Sequence, residues 1–178
     1  MHKVVLLIGG NQGNRQSLIA QATEQIRERI GSVVALSALY ETEPWGTFDD
    51  HPEAFLNRAL LVETLLAPLE VLHEALAIEA ALGRRRDPKD LKDFKDPKDF
   101  KDPKDFKYPK DLPRLYHSRP MDIDLIFYDD VVMDTPELTL PHPRMHLRRF
   151  VLEPLAEIMP DYRHPVLHKT VKQLLYEI

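Results

Sequence analysis

The chain has 178 residues, 43% of them hydrophobic and none of them cysteine, and its 24 basic and 29 acidic residues leave a net charge of −5. This length predicts one domain, residues 1–178, large enough to bury most of its unfolded surface. The acidic balance argues against a broad nucleic-acid footprint, and the missing thiols exclude a disulfide framework, thiolate chemistry and Cys-bound zinc.

The opening MHKVVLLIGG has an apolar run too short for a signal h-region or a membrane span, which predicts a cytoplasmic protein with no membrane partner. Residues 3–8 are expected to form a buried strand ending at a GGNQGN turn. Asn14 is the predicted N-cap of a helix over 15–30 with Leu18, Ile19, Ala22, Ile26 and Ile30 as its apolar stripe, stopped by Gly31. A strand is predicted over 33–40 and a loop over ETEPWGTFDDHP; residues 54–65 fit a helix or a strand, and the alternation of Phe55, Ala59 and Leu61 favours a strand. Pro68 opens a second helix, with Leu72 and Leu76 as its stripe, that ends at Gly83.

Residues 87–112 repeat a D-x-K triplet, with eight Asp and eight Lys cancelling in charge. A three-residue period matches polyproline II, which would segregate Asp, Lys and the Pro/Phe/Leu positions into three ridges. Low-complexity expansion without fixed structure is the competing reading. A strand over 121–128 follows, with Asp129-Asp130 as a hairpin turn into Val131–Met133. Helices are expected near 148–158 and 168–176. The order β-α-β-β-α-β predicts an α+β, ferredoxin-like core, an antiparallel sheet with helices, plus a C-terminal helical elaboration.

The stretch RPMDIDLIFY carries the chemistry. On a strand, Met121, Ile123, Leu125 and Phe127 would face one way and Asp122, Asp124 and Ile126 the other. Two carboxylates on one strand face, Cα atoms about 7 Å apart, repel unless something neutralises them. Mg²⁺ held by one or two carboxylates and substrate phosphates does so; a solvated face with Arg119 as counter-ion is the alternative. The arginines cluster at 84–86 and again at Arg114, Arg119, Arg144, Arg148 and Arg149, which suits either a small polyanion or surface ion pairs. His142 is held between Pro141 and Pro143, which fixes its backbone for donation to phosphate or for a structural turn. Trp45, the only tryptophan, lies in a Pro/Gly loop, where it can stack on a flat heterocycle or anchor the loop.

In order, G-G-N-Q-G-N, Y-E-T-E-P-W-G, F-L-N, I-E-x-x-L-G-R-x-R, R-P-M-D-I-D-L-I-F-Y and L-P-H-P-R-M-x-x-R-x-F-V-L-x-P-L resemble the 6-hydroxymethyl-7,8-dihydropterin pyrophosphokinase family of folate biosynthesis, over residues 4–86 and 116 to about 165. The resemblance implies transfer of pyrophosphate from ATP to the pterin's hydroxymethyl group. It implies Asp122 and Asp124 as ligands of two Mg²⁺ ions. Arg84 and Arg119 would stabilise developing charge. Glu79, Arg86, Tyr116, Leu125, His142 and Arg148 would line the ATP site with them. Thr42, Pro44, Trp45, Phe55, Asn57 and Phe150 would hold the pterin. The chain would act as a monomer or weak homodimer. The D-x-K segment departs from the family pattern, as does Leu76 at a position that is often polar. A Mg-dependent phosphohydrolase and a ferredoxin-like RNA-binding module are the alternatives weighed beside it.

Overall fold

The computed structural model describes residues 1–42, 54–83 and 120–178. Strand β1 (His2–Gly10) is followed by α1 (Arg15–Arg29), β2 (Gly31–Leu36), β3 (Tyr40–Thr42), β4 (Phe55–Thr64), α2 (Pro68–Ala81) and β5 (Asp122–Tyr128). The chain closes with β6 (Met133–Asp134), β7 (Thr139–Leu140), a 3₁₀ turn (Met145–Leu147), α3 (Arg149–Ile158) and α4 (Val171–Tyr176). The main sheet runs β2-β4-β1-β5 with β3 also paired to β4, every pairing antiparallel. This is the ferredoxin-like arrangement the element order predicts.

Local chemistry explains the helix starts. The Asn14 side chain accepts the Ser17 amide at 3.2 Å, as an N-cap should. At α2, Pro68 occupies the first turn, where its missing N–H costs nothing, and Glu70 reaches back to the Ala67 amide at 3.0 Å. The buried face of α2 is Val71, Ala75, Ile78 and Glu79, not the expected Leu72/Leu76 stripe, both of which are only partly buried.

Several boundaries differ from expectation. β1 does not stop before the glycines: Gly9 and Gly10 stay in the ladder opposite Asn57 and Leu56. The strand expected over 33–40 is two strands, because Ser37 interrupts it. Its hydroxyl takes the Ala59 amide at 3.0 Å and donates to the Ala38 carbonyl at 2.7 Å, so a side chain competes with the ladder. Asp129 adopts a positive φ of 47°, but the chain does not return along β5; Met133 and Asp134 pair with Leu140 and Thr139 instead. The last helix starts at Val171, where Thr170 and Gln173 form a reciprocal capping pair.

The sheet buries both faces. Val4, Leu6, Ile8, Leu60 and Val62 pack beneath α1 and α2 with Ile19, Ile26 and Ile78. Val5, Leu7, Ala59 and Phe127 pack against Val151, Leu152 and Leu155 of α3 and Val171 and Leu174 of α4. The C-terminal helices therefore cover a face that the RNA-binding alternative needs open.

A bulge corrects the predicted facing of β5. Val5 pairs with Phe127 but Leu6 pairs with Leu125, so Ile126 is the extra residue. Met121, Ile123 and Leu125 keep to the α1/α2 side with Tyr128, while Phe127 joins Ile126 on the opposite side. One inserted residue reverses the facing of everything after it.

Candidate active site

Register places the polar residues in one row. Asn57 on β4 and Asp122 on β5 both pair with Gly9 of the intervening β1, and Tyr40 of β3 pairs with Asn57 from the other side. Asp124 pairs with Leu7 in the next row. Directly paired residues share a face, so Asn57, Asp122 and Asp124 lie on the side of Leu7 and Ala59, beyond the apolar cluster beneath α3 and α4. The Cα atoms of Asn57 and Asp122 are two strand spacings apart, about 10 Å.

The two aspartates are half-buried, and the strand between them is pinned. Glu79, 3% exposed on α2, accepts the Ile123 amide at 3.1 Å through Oε2. Among the described residues no group of three or more His, Cys, Asp or Glu could enclose a metal. Two carboxylates on one strand face without a protein cage fit Mg²⁺, which keeps waters and takes substrate phosphates as its remaining ligands.

The β5 bulge brings in the Pro141–Pro143 segment. The carbonyl of Ile126, the bulge residue, accepts the His142 amide at 3.0 Å. The Arg144 amide donates to His142 Nδ1 at 3.2 Å, which leaves the ring proton on Nε2. Burial, then the neighbouring Arg148, push the His142 pKa down to about 4; Asp122 pulls it up and Arg144 adds to the downward push. His142 is therefore a neutral hydrogen-bond donor at pH 7, within the field of Asp122. Arg148 sits at the N-cap of α3, with its guanidinium carbon 5.5 Å from the centre of the Phe150 ring, a cation–π distance.

On the other side of the row, Asn57 is 6% exposed and its Nδ2 donates to Thr42 Oγ1 at 3.1 Å. Phe55 lies two residues before Asn57 on β4, opposite Thr42. Arg15 donates to the Ala54 carbonyl at 2.6 Å and pairs with Glu41 at 3.5 Å, tying the start of β4 to β3. Glu157 of α3 accepts both the Ala38 amide at 2.8 Å and the Tyr40 hydroxyl at 2.7 Å.

The fold thus gathers Asp122, Asp124, Glu79, His142 and Arg148 at one end of β5 and Asn57, Thr42 and Phe55 along β3 and β4. Leu125 is placed differently: it is 4% exposed in the α1/α2 core, so its side chain packs in the core instead of facing a ligand. Pro44, Trp45, Arg84, Arg86, Tyr116, Arg119 and the repeat at 87–112 lie outside the described residues. Arg15 had no signal in the sequence; Arg144 stood there only as one of the clustered arginines, and Gly9 as part of the GGNQGN turn, whereas the ladder holds it opposite Asn57.

The chain is similar to known proteins over most of its length. A family model described as 7,8-dihydro-6-hydroxymethylpterin-pyrophosphokinase (HPPK) matches residues 5–96 and 105–160. A 2-amino-4-hydroxy-6-hydroxymethyldihydropteridine pyrophosphokinase of Porphyromonas gingivalis is 37% identical over 163 residues, 91% of this chain and 93% of the relative. The Aquifex aeolicus protein of the same name is 32% identical over 173 residues, 97% and 90% of the two chains. In structure, a Plasmodium falciparum HPPK-DHPS superposes with a TM-score of 0.69 at 16% identity; the match covers 99% of this chain and 44% of that one. That likeness concerns the fold.

Proposed function

The chain belongs to the 7,8-dihydro-6-hydroxymethylpterin-pyrophosphokinase family, and from that premise we infer that it transfers pyrophosphate from ATP to 6-hydroxymethyl-7,8-dihydropterin in folate biosynthesis. The pterin's hydroxymethyl oxygen forms a bond to the β-phosphorus of ATP. The bond from that phosphorus to the α,β-bridging oxygen breaks, AMP leaves, and the alcohol proton passes to solvent. The observation in the structure that carries this reading is the single row holding an amide, Asn57, and a carboxylate, Asp122, on either side of Gly9. An amide reads a heterocycle's edge; paired carboxylates gather a metal–triphosphate. The row sets the two about 10 Å apart.

In this reading Asp122 and Asp124 hold two Mg²⁺ ions. Bound there, the ions would neutralise phosphate charge and orient the triphosphate. Phosphoryl-type transfer depends on positioning and charge stabilisation. His142 offers Nε2–H as a neutral donor, and Arg148, at the N-cap of α3, adds a cation where the helix dipole is positive. Glu79 lines the nucleotide side while holding the amide between the two aspartates. Leu125 contributes main chain only. Arg84, Arg86, Tyr116 and Arg119 complete the ATP site. Phe55 and Phe150 wall the pterin, with Asn57, Thr42, Pro44 and Trp45 at its edge. The reading includes a cytoplasmic setting and a monomer or weak homodimer; no helix among the described residues is long and apolar enough to cross a membrane.

The test is incubation with Mg-ATP and 6-hydroxymethyl-7,8-dihydropterin, with AMP and pterin diphosphate quantified. Equal amounts of the two are expected. Asp122→Ala and Asp124→Ala should each lower the rate by at least about 100-fold, the scale of a lost electrostatic group, with the thermal transition unchanged or slightly raised as like-charge repulsion is relieved. Inorganic phosphate released from ATP without pterin would favour a phosphohydrolase instead.

A further inference from the structure

We propose that the Thr42 hydroxyl and the bare Cα of Gly9 are positioning groups that fix which way round the Asn57 carboxamide faces, and thereby the orientation in which the pterin ring is read. The inference rests on the reading above that Asn57 meets the pterin. It adds a role for the Thr42 side chain and for Gly9.

An asparagine amide has two nearly isosteric ends, one donating and one accepting, so its value as a reader depends on which end is where. Asn57 Nδ2 donates to Thr42 Oγ1 at 3.1 Å. The oxygen end lies over Gly9: a Cβ there would stand 2.2 Å from Oδ1 and 3.1 Å from Cγ, so the carboxamide oxygen occupies the space that a side chain at position 9 would need. The hydroxyl alone does not choose the orientation, because it can donate as well as accept. The Gly9 contact chooses it. A Cα–H meets an oxygen favourably, whereas an amide NH₂ turned the same way would put hydrogen against hydrogen. With 6% of its surface exposed, Asn57 has little room to rotate.

One Nδ2–H and one Oδ1 lone pair then remain for a ligand, in fixed order. The donor is on the β3 side and the acceptor on the β1 side, with Asp122 next beyond Gly9. A ring edge that sets an acceptor beside a donor satisfies this pair one way round only. Reversing the ring puts donor against donor and leaves both buried groups unpaired. The orientation in turn decides whether the ring's alcohol projects towards Asp122 or away from it.

The test compares Thr42→Val, isosteric but unable to accept a hydrogen bond, with Thr42→Ser, which keeps the hydroxyl. KM for the pterin, KM for ATP and kcat are measured, together with the pterin Kd from its own fluorescence. The valine variant is expected to raise pterin KM and Kd about tenfold, the scale of a lost orienting hydrogen bond, with ATP KM within about twofold. The serine variant is expected within about twofold of the parent throughout. Thr42→Ala should match valine and serves if valine does not fold. A valine or alanine variant with unchanged pterin affinity, an ATP KM that rises in parallel, or serine as impaired as valine would overturn the proposal. Failure of the unaltered protein to make AMP in the presence of pterin is a different result, and would remove the reading of the site itself.

Discussion

Acid should unfold this protein partly through His142, and the effect can be sized. Burial, then Arg148, bring its pKa down to about 4, against 6.5 for an ordinary imidazole. The folded state therefore binds fewer protons than the unfolded chain between these two values. Stability from this group is intact above pH 6.5 and drains away as pH falls towards 4. At 1.36 kcal/mol per pH unit, the linkage amounts to about 2 kcal/mol between pH 7 and pH 5 and about 3 kcal/mol by pH 4. The perturbation is His142→Asn, which removes the titration while its side-chain oxygen can still accept the Arg144 amide that His142 Nδ1 now takes at 3.2 Å. Urea unfolding of the parent and the variant, without nucleotide or Mg²⁺, at half-unit steps from pH 7 to pH 4.5, isolates the difference. Other groups titrate in both proteins and cancel. The parent is expected to lose about 2 kcal/mol more than the variant by pH 5. Parallel pH dependences would refute the argument, because they would mean that the His142 ring is not held neutral by its surroundings.

Three further outcomes follow from the packing. Glu79→Ala leaves the Ile123 amide without its 3.1 Å acceptor and should cost at least about 1–3 kcal/mol in urea unfolding, whereas Glu79→Gln should recover most of that because its amide oxygen can accept the same bond. Removing residues 88–112 should leave the fold intact, since the ends it joins are close: a Cβ added at Gly83 would stand 4.0 Å from the Pro120 ring. It shortens the connection from 36 to 11 residues, so equilibrium unfolding should show a gain of about 1 kcal/mol, and a collapse of the transition would show that the segment is structural. Protonation of His164, 4% exposed with Nδ1 accepting the Val166 and Leu167 amides, is opposed by burial and by His146 and His168. Its pKa is lowered, so stability is lost as pH falls below the unfolded value. His164→Asn should flatten the remaining slope below about pH 6.5.

From its residues alone the chain declared its elements and their order. Apolar runs at strand and helix periods, Asn14 and Pro68 at helix starts, and two carboxylates placed in an otherwise apolar strand are local signals, set by backbone sterics, capping and the cost of unshielded charge. That was enough for a ferredoxin-like core and for the aspartate pair. What stayed hidden depended on residues distant in sequence. The bulge at Ile126 is a mismatch between two strands more than a hundred residues apart, and no pattern within either one announces it. It turned Phe127 to the other face and offered the carbonyl that docks His142. Gly9 looked like part of a turn, yet it is a strand residue kept bare by the side chain of Asn57. The depressed pKa of His142 comes first from its burial and then from Arg148 and Arg144 at close range. Periodicity fixes which residues are buried in a segment; only the register between segments fixes which of them meet, and it is there that Asn57, Gly9 and Asp122 become neighbours.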